Sequence, residues 1–165
     1  MTAAFQFRLL ILASQIQDIT SKIVENLIEN QLQEPTFDVS SEPLLLTPEN
    51  VRLKEDLNDT AQDLLRLVNG PKTDLSTSIC TIYDLAAWQV AFEFRLFEAI
   101  LENGAASLHD IAGKVSVDED RVRRILKILA TDRMFEEVEK DHFKHTSRRV
   151  LYARYQQVRD LVHYQ

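Results

Sequence analysis

The sequence predicts a mainly α-helical protein with a small two-stranded β-sheet near its C-terminal end, and three observations predict it. Apolar residues recur at three- and four-residue spacing over long stretches, the period of a helix with one buried face. Only three glycines and four prolines interrupt 165 residues, so little of the chain is set aside for turns. One short window, Phe135 to His145, instead reads as two apolar-polar runs around a polar turn. A chain of this length buries a core without disulfide or metal support.

The first element runs from about Ala3 to Gln33 without glycine or proline. Leu9, Leu12, Ile16, Ile19 and Ile23 follow a 3-4-3-4 spacing that puts them on one stripe, continued by Asn26 and Asn30. About thirty helical residues span roughly 45 Å, more than a domain of this size covers with its own surface. The stripe is therefore expected at an interface between chains.

Residues 34–48 carry three of the four prolines and read as an extended linker anchored by Phe37 and Leu44 to Leu46. Thr47 then offers an N-cap and Pro48 a first helical position, and a second helix runs to Asn69 before Gly70 and Pro71 stop it. Leu53, Leu57, Leu64 and Val68 form its expected buried side. A third helical region, after Asp74, carries Ile79, Ile82 and Leu85 toward Gly104, with a kink near Ala86 or Ala87 and with Trp88, Phe92, Leu96, Ala99 and Ile100 as core.

Ser107 is placed to cap a short helix, LHDIAGKV, and Asp118 to cap a second, EDRVRRILKILATD, whose Val122, Ile125, Leu126 and Leu129 face inward. Phe135 to Val138 and His142 to His145 follow as strands around the turn Glu139 to Asp141, and Ser147 caps a last helical segment. Three helices followed by a two-stranded wing is the winged helix-turn-helix order. The chain thus divides into a helical extension for dimerisation, 1–72, and a winged-helix domain, 73–165.

Composition narrows the function classes. Cys80 is the only cysteine, which excludes an intrachain disulfide and a four-thiol metal site and fits a cytoplasmic protein. The apolar start around Arg8 is too short for a membrane span and continues in amphipathic period past Gln15 and Asp18, so neither a signal peptide nor a membrane anchor is expected. The net charge of -7 is unevenly placed, because residues from Arg121 onward hold 11 Lys or Arg against 6 Asp or Glu. Arg121, Arg123, Arg124, Lys127, Arg148 and Arg149 could face nucleic acid, but Asp118, Glu119 and Asp120 crowd the helix end that would make the contacts, and nucleic acid is not expected as a partner.

The strings DLAAWQVAFEFRLFEAI, SLHDIAGKV and VDEDRVRRILKILATDRMFEEVEKDHFKHTSRR, in this order and spacing, resemble the winged-helix domain of plant and fungal type O-methyltransferases. Upstream, LQEPTFDVSSEPLLLTPENVRLKEDLNDTAQDLLRLVNGP is similar to the fungal branch, which methylates polyketides and related secondary metabolites. The resemblance implies an N-terminal domain that dimerises and helps enclose substrate, followed in a full-length parent by a Rossmann-like domain that binds S-adenosylmethionine over a glycine-rich turn. Gly70, Gly104 and Gly113 are isolated and form no such turn, and the family's catalytic histidine has no counterpart here. No catalytic, cofactor or metal residue is therefore assigned, and methyl transfer by this chain alone is not expected. The chain reads as a fragment or a truncated relative. A stand-alone partner of a full-length methyltransferase, a regulator, a DNA-binding winged helix and a domain of a methyltransferase-like pericyclase are the alternatives.

Two sets of residues carry the functional expectations. Leu9, Leu12, Ile16, Ile19 and Ile23 are the expected homodimer interface. Trp88, Phe92 and Phe94 could line a pocket for an aromatic substrate or face a partner, although Trp88 and Phe92 fit core packing as well, and Phe94 points away from their stripe. His142 and His145 lie three apart on a strand and so on opposite faces, which suits ordinary wing roles better than a shared metal.

Overall fold

The computed structural model describes residues 7–45 and 47–148. The described residues form two compact units, the first made of those up to Pro35 together with Glu42–Ile79, the second of Thr36–Ser41 together with those from Cys80 onward.

The first unit holds helix α1 (Arg8–Glu29) and the opening part of α2 (Pro48–Glu93). α1 is shorter than its sequence period suggests, because Asn30 leaves helical geometry, its Nδ2 donates to the Asn26 carbonyl at 2.8 Å, and Gln31 turns left-handed at φ 54. The residues before Phe7, expected to be helical, lie outside the described ones. Thr47 caps α2 as expected, with its Oγ1 accepting from the Asn50 amide at 3.1 Å. Gly70, at φ 70 and ψ 165, breaks α2 as its pairing with Pro71 predicts. Helical geometry resumes at Pro71, earlier than the expected restart after Asp74, because proline is well suited to a first helical turn. The buried hydrophobics of this unit are Leu12, Leu27 and Leu53. Leu57 and Leu64 are half-buried, whereas Val68, expected on the buried side, is 65% exposed just before the break.

The second unit carries the main core. α2 stays helical through Ala86 and Ala87, where a kink was expected, and ends at Glu93; the chain turns instead at Arg95, a left-handed residue at φ 56. There follow α3 (Leu96–Ala99), β1 (Ala105–Ser107), α4 (Leu108–Val115), α5 (Glu119–Thr131), β2 (Phe135–Glu139) and β3 (His142–His145). Ile79, Ile82 and Leu85, expected to lead into the core, are all exposed.

Both predicted caps are present. Ser107 Oγ accepts from the Asp110 amide at 3.1 Å and donates to Asp110 Oδ2 at 2.6 Å, and Asp118 Oδ1 accepts from the Arg121 amide at 3.2 Å. The wing has three strands rather than two, in the order β1-β3-β2. β1 pairs antiparallel with β3 through Ala105 with Lys144 and Ser107 with His142. β2 pairs with the other edge of β3, with a bulge between Glu137 and Glu139 that leaves Val138 exposed. Val122, Leu126 and Leu129 of α5 pack with Leu108 and Ile111 of α4 and with Phe135 and Phe143 of the sheet, all buried. Thr146 Oγ1 donates to the Arg133 and Met134 carbonyls, satisfying the strand entrance. The helical segment expected beyond Ser147 lies almost wholly outside the described residues.

Candidate functional site

The interface stripe expected on α1 is unevenly covered within its own unit. Leu12 is buried at 2% exposure, Ile16, Ile19 and Ile23 are half-buried, and Leu9 is exposed. A further set, Leu10, Val24 and Ile28, is exposed on the same helix, Ile28 at 71%. On α2, Leu65, Leu67, Val68, Leu75 and Ile79 are also open. So much large apolar surface beside so few buried side chains is unusual for a chain that works alone in water.

The aromatic residues lie in two environments. Trp88 and Phe92 are half-buried and join a ring cluster: Phe92 stacks on Phe97 at 4.7 Å between centroids, Phe97 on Phe135 at 5.2 Å, and Trp88 lies 6.0 Å from Phe92. Trp88 Nε1 donates to Asp132 Oδ2 at 3.3 Å, a pairing that joins residues far apart in sequence. Phe94 is 43% exposed and lines a cleft of about 310 Å³ with Val90, Val117, Arg121, Arg124 and Ile125.

The cations of α5 are equally divided in character. Arg123 Nε donates to Asp141 Oδ1 at 3.1 Å, and Arg123 also pairs with Asp120, so its guanidinium is held above its usual range, chiefly by the Asp141 hydrogen bond. Lys127 Nζ lies 2.7 Å from Glu137 Oε1, and this bond, with the Asp141 amide donating to the same oxygen at 3.0 Å, holds the Glu137 carboxyl below the usual range. Arg148 donates to the Asp132 carbonyl and lies 3.8 Å from its carboxylate. Arg121 and Arg124 have no ion pair among the described residues. Arg149 lies outside them.

The wing histidines are separated as the strand period requires. His142 is half-exposed with Nδ1 3.1 Å from the Lys140 carbonyl, whereas His145 is buried with Nε2 3.0 Å from the Ile100 carbonyl. His109 faces Glu119 at 2.6 Å, and that hydrogen bond and charge raise its pKa. Among the described residues no group of three His, Cys, Asp or Glu side chains could hold a metal ion, and no helix is long and apolar enough to cross a membrane. Cys80 is exposed.

One contact gives no sequence signal beyond an apolar Phe37. The Ser147 amide donates to the Phe37 carbonyl at 2.9 Å, Ser147 Oγ donates to the Thr36 carbonyl at 3.1 Å, and Arg133 lies 5.2 Å over the Phe37 ring. The middle of the predicted linker is thereby fastened to the wing.

Comparison with known proteins agrees with this architecture. The chain is 38% identical over 118 residues to O-methyltransferase sol2 of Alternaria solani, a match covering 72% of this chain and 28% of that protein. It is 36% identical over 104 residues to transcriptional coactivator nsrH of Aspergillus novofumigatus, covering 60% of this chain and 23% of the relative. The chain thus spans less than a third of either protein. Among solved structures, OxaC superimposes with a TM-score of 0.67 at 16% identity, over 88% of this chain and 32% of that one, a likeness of fold. The O-methyltransferase dimerisation domain matches residues 78–155, from within α2 to beyond the wing. Residues 78–155 of this chain accordingly belong to the O-methyltransferase dimerisation domain family.

Proposed function

We propose that the chain, through this dimerisation domain, assembles and encloses the active site of an S-adenosylmethionine-dependent O-methyltransferase of fungal secondary metabolism. The observation that carries the reading is the family match at 78–155 beside an open apolar surface on α1 and α2. In this reading residues 1–72 are the dimerising extension and 73–165 the winged-helix domain, and Leu9, Ile16, Ile19 and Ile23 complete their burial against a second copy. Leu12 is already covered within the protomer and gains little from it. Each half-open side chain that becomes fully buried adds a share of roughly 1.5–3 kcal/mol. Trp88 and Phe92 stiffen the wall that faces substrate, and Phe94 stays at its edge. S-adenosylmethionine belongs to the parent enzyme rather than to these residues; the OxaC complexes with SAH and oxaline, and with sinefungin and meleagrin, support a parent of this kind through their shared fold.

Sedimentation of the unaltered chain at micromolar concentration, beside an Ile16→Glu, Ile23→Glu double variant, tests the reading. We expect a dimer and a folded monomer respectively. A monomeric unaltered chain overturns the reading. A Val24→Glu, Ile28→Glu pair that dissociates the dimer while the first variant does not would place the interface on the other side of α1.

The likeness to a transcriptional coactivator favours a second reading, in which the same surface pairs with a full-length methyltransferase or a regulator. Co-expression with a full-length methyltransferase discriminates: a heterodimer that forms in preference to the homodimer supports the second reading. Winged-helix binding to DNA is disfavoured, because Asp118, Glu119 and Asp120 occupy the N-terminal end of α5 and Arg123 and Lys127 are neutralised by their own carboxylates.

A further inference from the structure

α5 sorts its four cations by face. Arg123 and Lys127 are tied to Asp120, Asp141 and Glu137, whereas Arg121 and Arg124 are exposed and carry no ion pair among the described residues. Those two are three apart, hence neighbours on one face of the helix. Both line the same cleft of about 310 Å³, whose apolar walls include Val90, Phe94, Val117 and Ile125. Its volume is at the small end of the range for small-molecule sites, and its combination of apolar walls with a few convergent polar groups is their usual chemistry. Guanidinium groups are planar, weakly hydrated and matched to carboxylates in two-point contact. In a chain of net charge -7, two adjacent cations without carboxylate partners stand out against the overall field.

We infer that this cleft binds a small apolar carboxylic acid, its ring or alkyl body against Phe94 and Ile125 and its carboxylate on Arg121 and Arg124. The cleft shares no lining residue with the α1 stripe or with the ring cluster of Trp88 and Phe92. It also gives the exposed ring of Phe94 a role in contact with ligand.

The test is an amide-detected NMR titration of the full chain with 2-naphthoic acid as probe and 2-naphthalenemethanol as its uncharged counterpart. We expect saturable shifts confined to amides around Phe94, Val117 and Arg121 to Ile125, and about tenfold or more weaker binding of the alcohol. An Arg121→Gln, Arg124→Gln double variant, altered only at exposed side chains, is expected to bind the acid about tenfold or more weakly and the alcohol unchanged. Phe94→Ala is expected to weaken both. Equal binding of acid by the unaltered and double-variant chains overturns the inference, as do shifts centred elsewhere or the absence of saturation in the millimolar range. A cleft that takes only an acidic peptide, or a Phe94→Ala chain that loses its dimer without any naphthoate binding in the unaltered chain, overturns it too.

Discussion

Replacing Gly70 by alanine isolates the backbone contribution of the break in α2. Gly70 sits at φ 70 and ψ 165, a region that residues with a Cβ essentially avoid. A Cβ added there meets nothing within 4 Å, so neighbouring atoms add no clash and the whole penalty is conformational. Such a conformation costs of order 1–3 kcal/mol, against which the stiffer unfolded chain returns about 0.5–1 kcal/mol. The expected net is a loss of about 0.5–2 kcal/mol. Gly113 provides the opposite case, because it lies inside α4 and its Cβ would also meet nothing. There alanine is expected to stabilise by about 0.5–1 kcal/mol. Urea unfolding at matched protomer concentration reads both, since dimerisation would otherwise mix into the midpoints. Midpoints that move in the same direction, or an unchanged Gly70→Ala chain, would refute the reasoning.

Three further outcomes are expected. Arg95→Gly relieves a left-handed residue at φ 56 between α2 and α3, and after the freer unfolded chain is counted it raises stability by about 0.5–1 kcal/mol in the same urea assay; a loss would mean that the Arg95 side chain matters more than its backbone. Thr146→Val keeps the shape of a buried residue but removes the donor to the Arg133 and Met134 carbonyls, lowering stability by about 1–3 kcal/mol, read from the shift in Tm. The depressed Glu137 pKa makes its contribution fully present above the unfolded value and lost as pH falls through the folded one, so the urea midpoint should drop on acidification in the unaltered chain and drop less in Glu137→Gln. An identical slope in both would remove Glu137 from the acid response.

The helices and their caps were legible because local rules and tertiary packing agree there. Ser107, Asp118 and Thr47 each meet the amide their position predicts, and α4 and α5 follow the apolar period almost to the residue. β1 was not legible, since Ala105, Ala106 and Ser107 have no strand preference of their own and become extended by pairing with β3. The turn at Arg95 was hidden because nothing but glycine, asparagine or aspartate advertises a left-handed residue. Val68, Ile79, Ile82 and Leu85 show a different limit: apolar period tells which residues avoid water, not whether one protomer alone can cover them. The cleft at Phe94 was half legible. Phe94 was singled out by its departure from the Trp88 and Phe92 stripe, but its approach to Arg121 and Arg124 depends on how α2 meets α5.

The pairing of β1 with β3 has a mechanical consequence. Because Ala105–Ser107 is laced to His142–Lys144, the span carrying α4 and α5 is a closed circuit, joined at its ends by hydrogen bonds as well as by the chain. A protease that nicks the exposed Ser116 connection would open that circuit at one point only. The two pieces remain stitched along β3 and packed through Leu108, Ile111, Val122 and Leu126, so the nicked protein should travel as one particle until denaturant parts it.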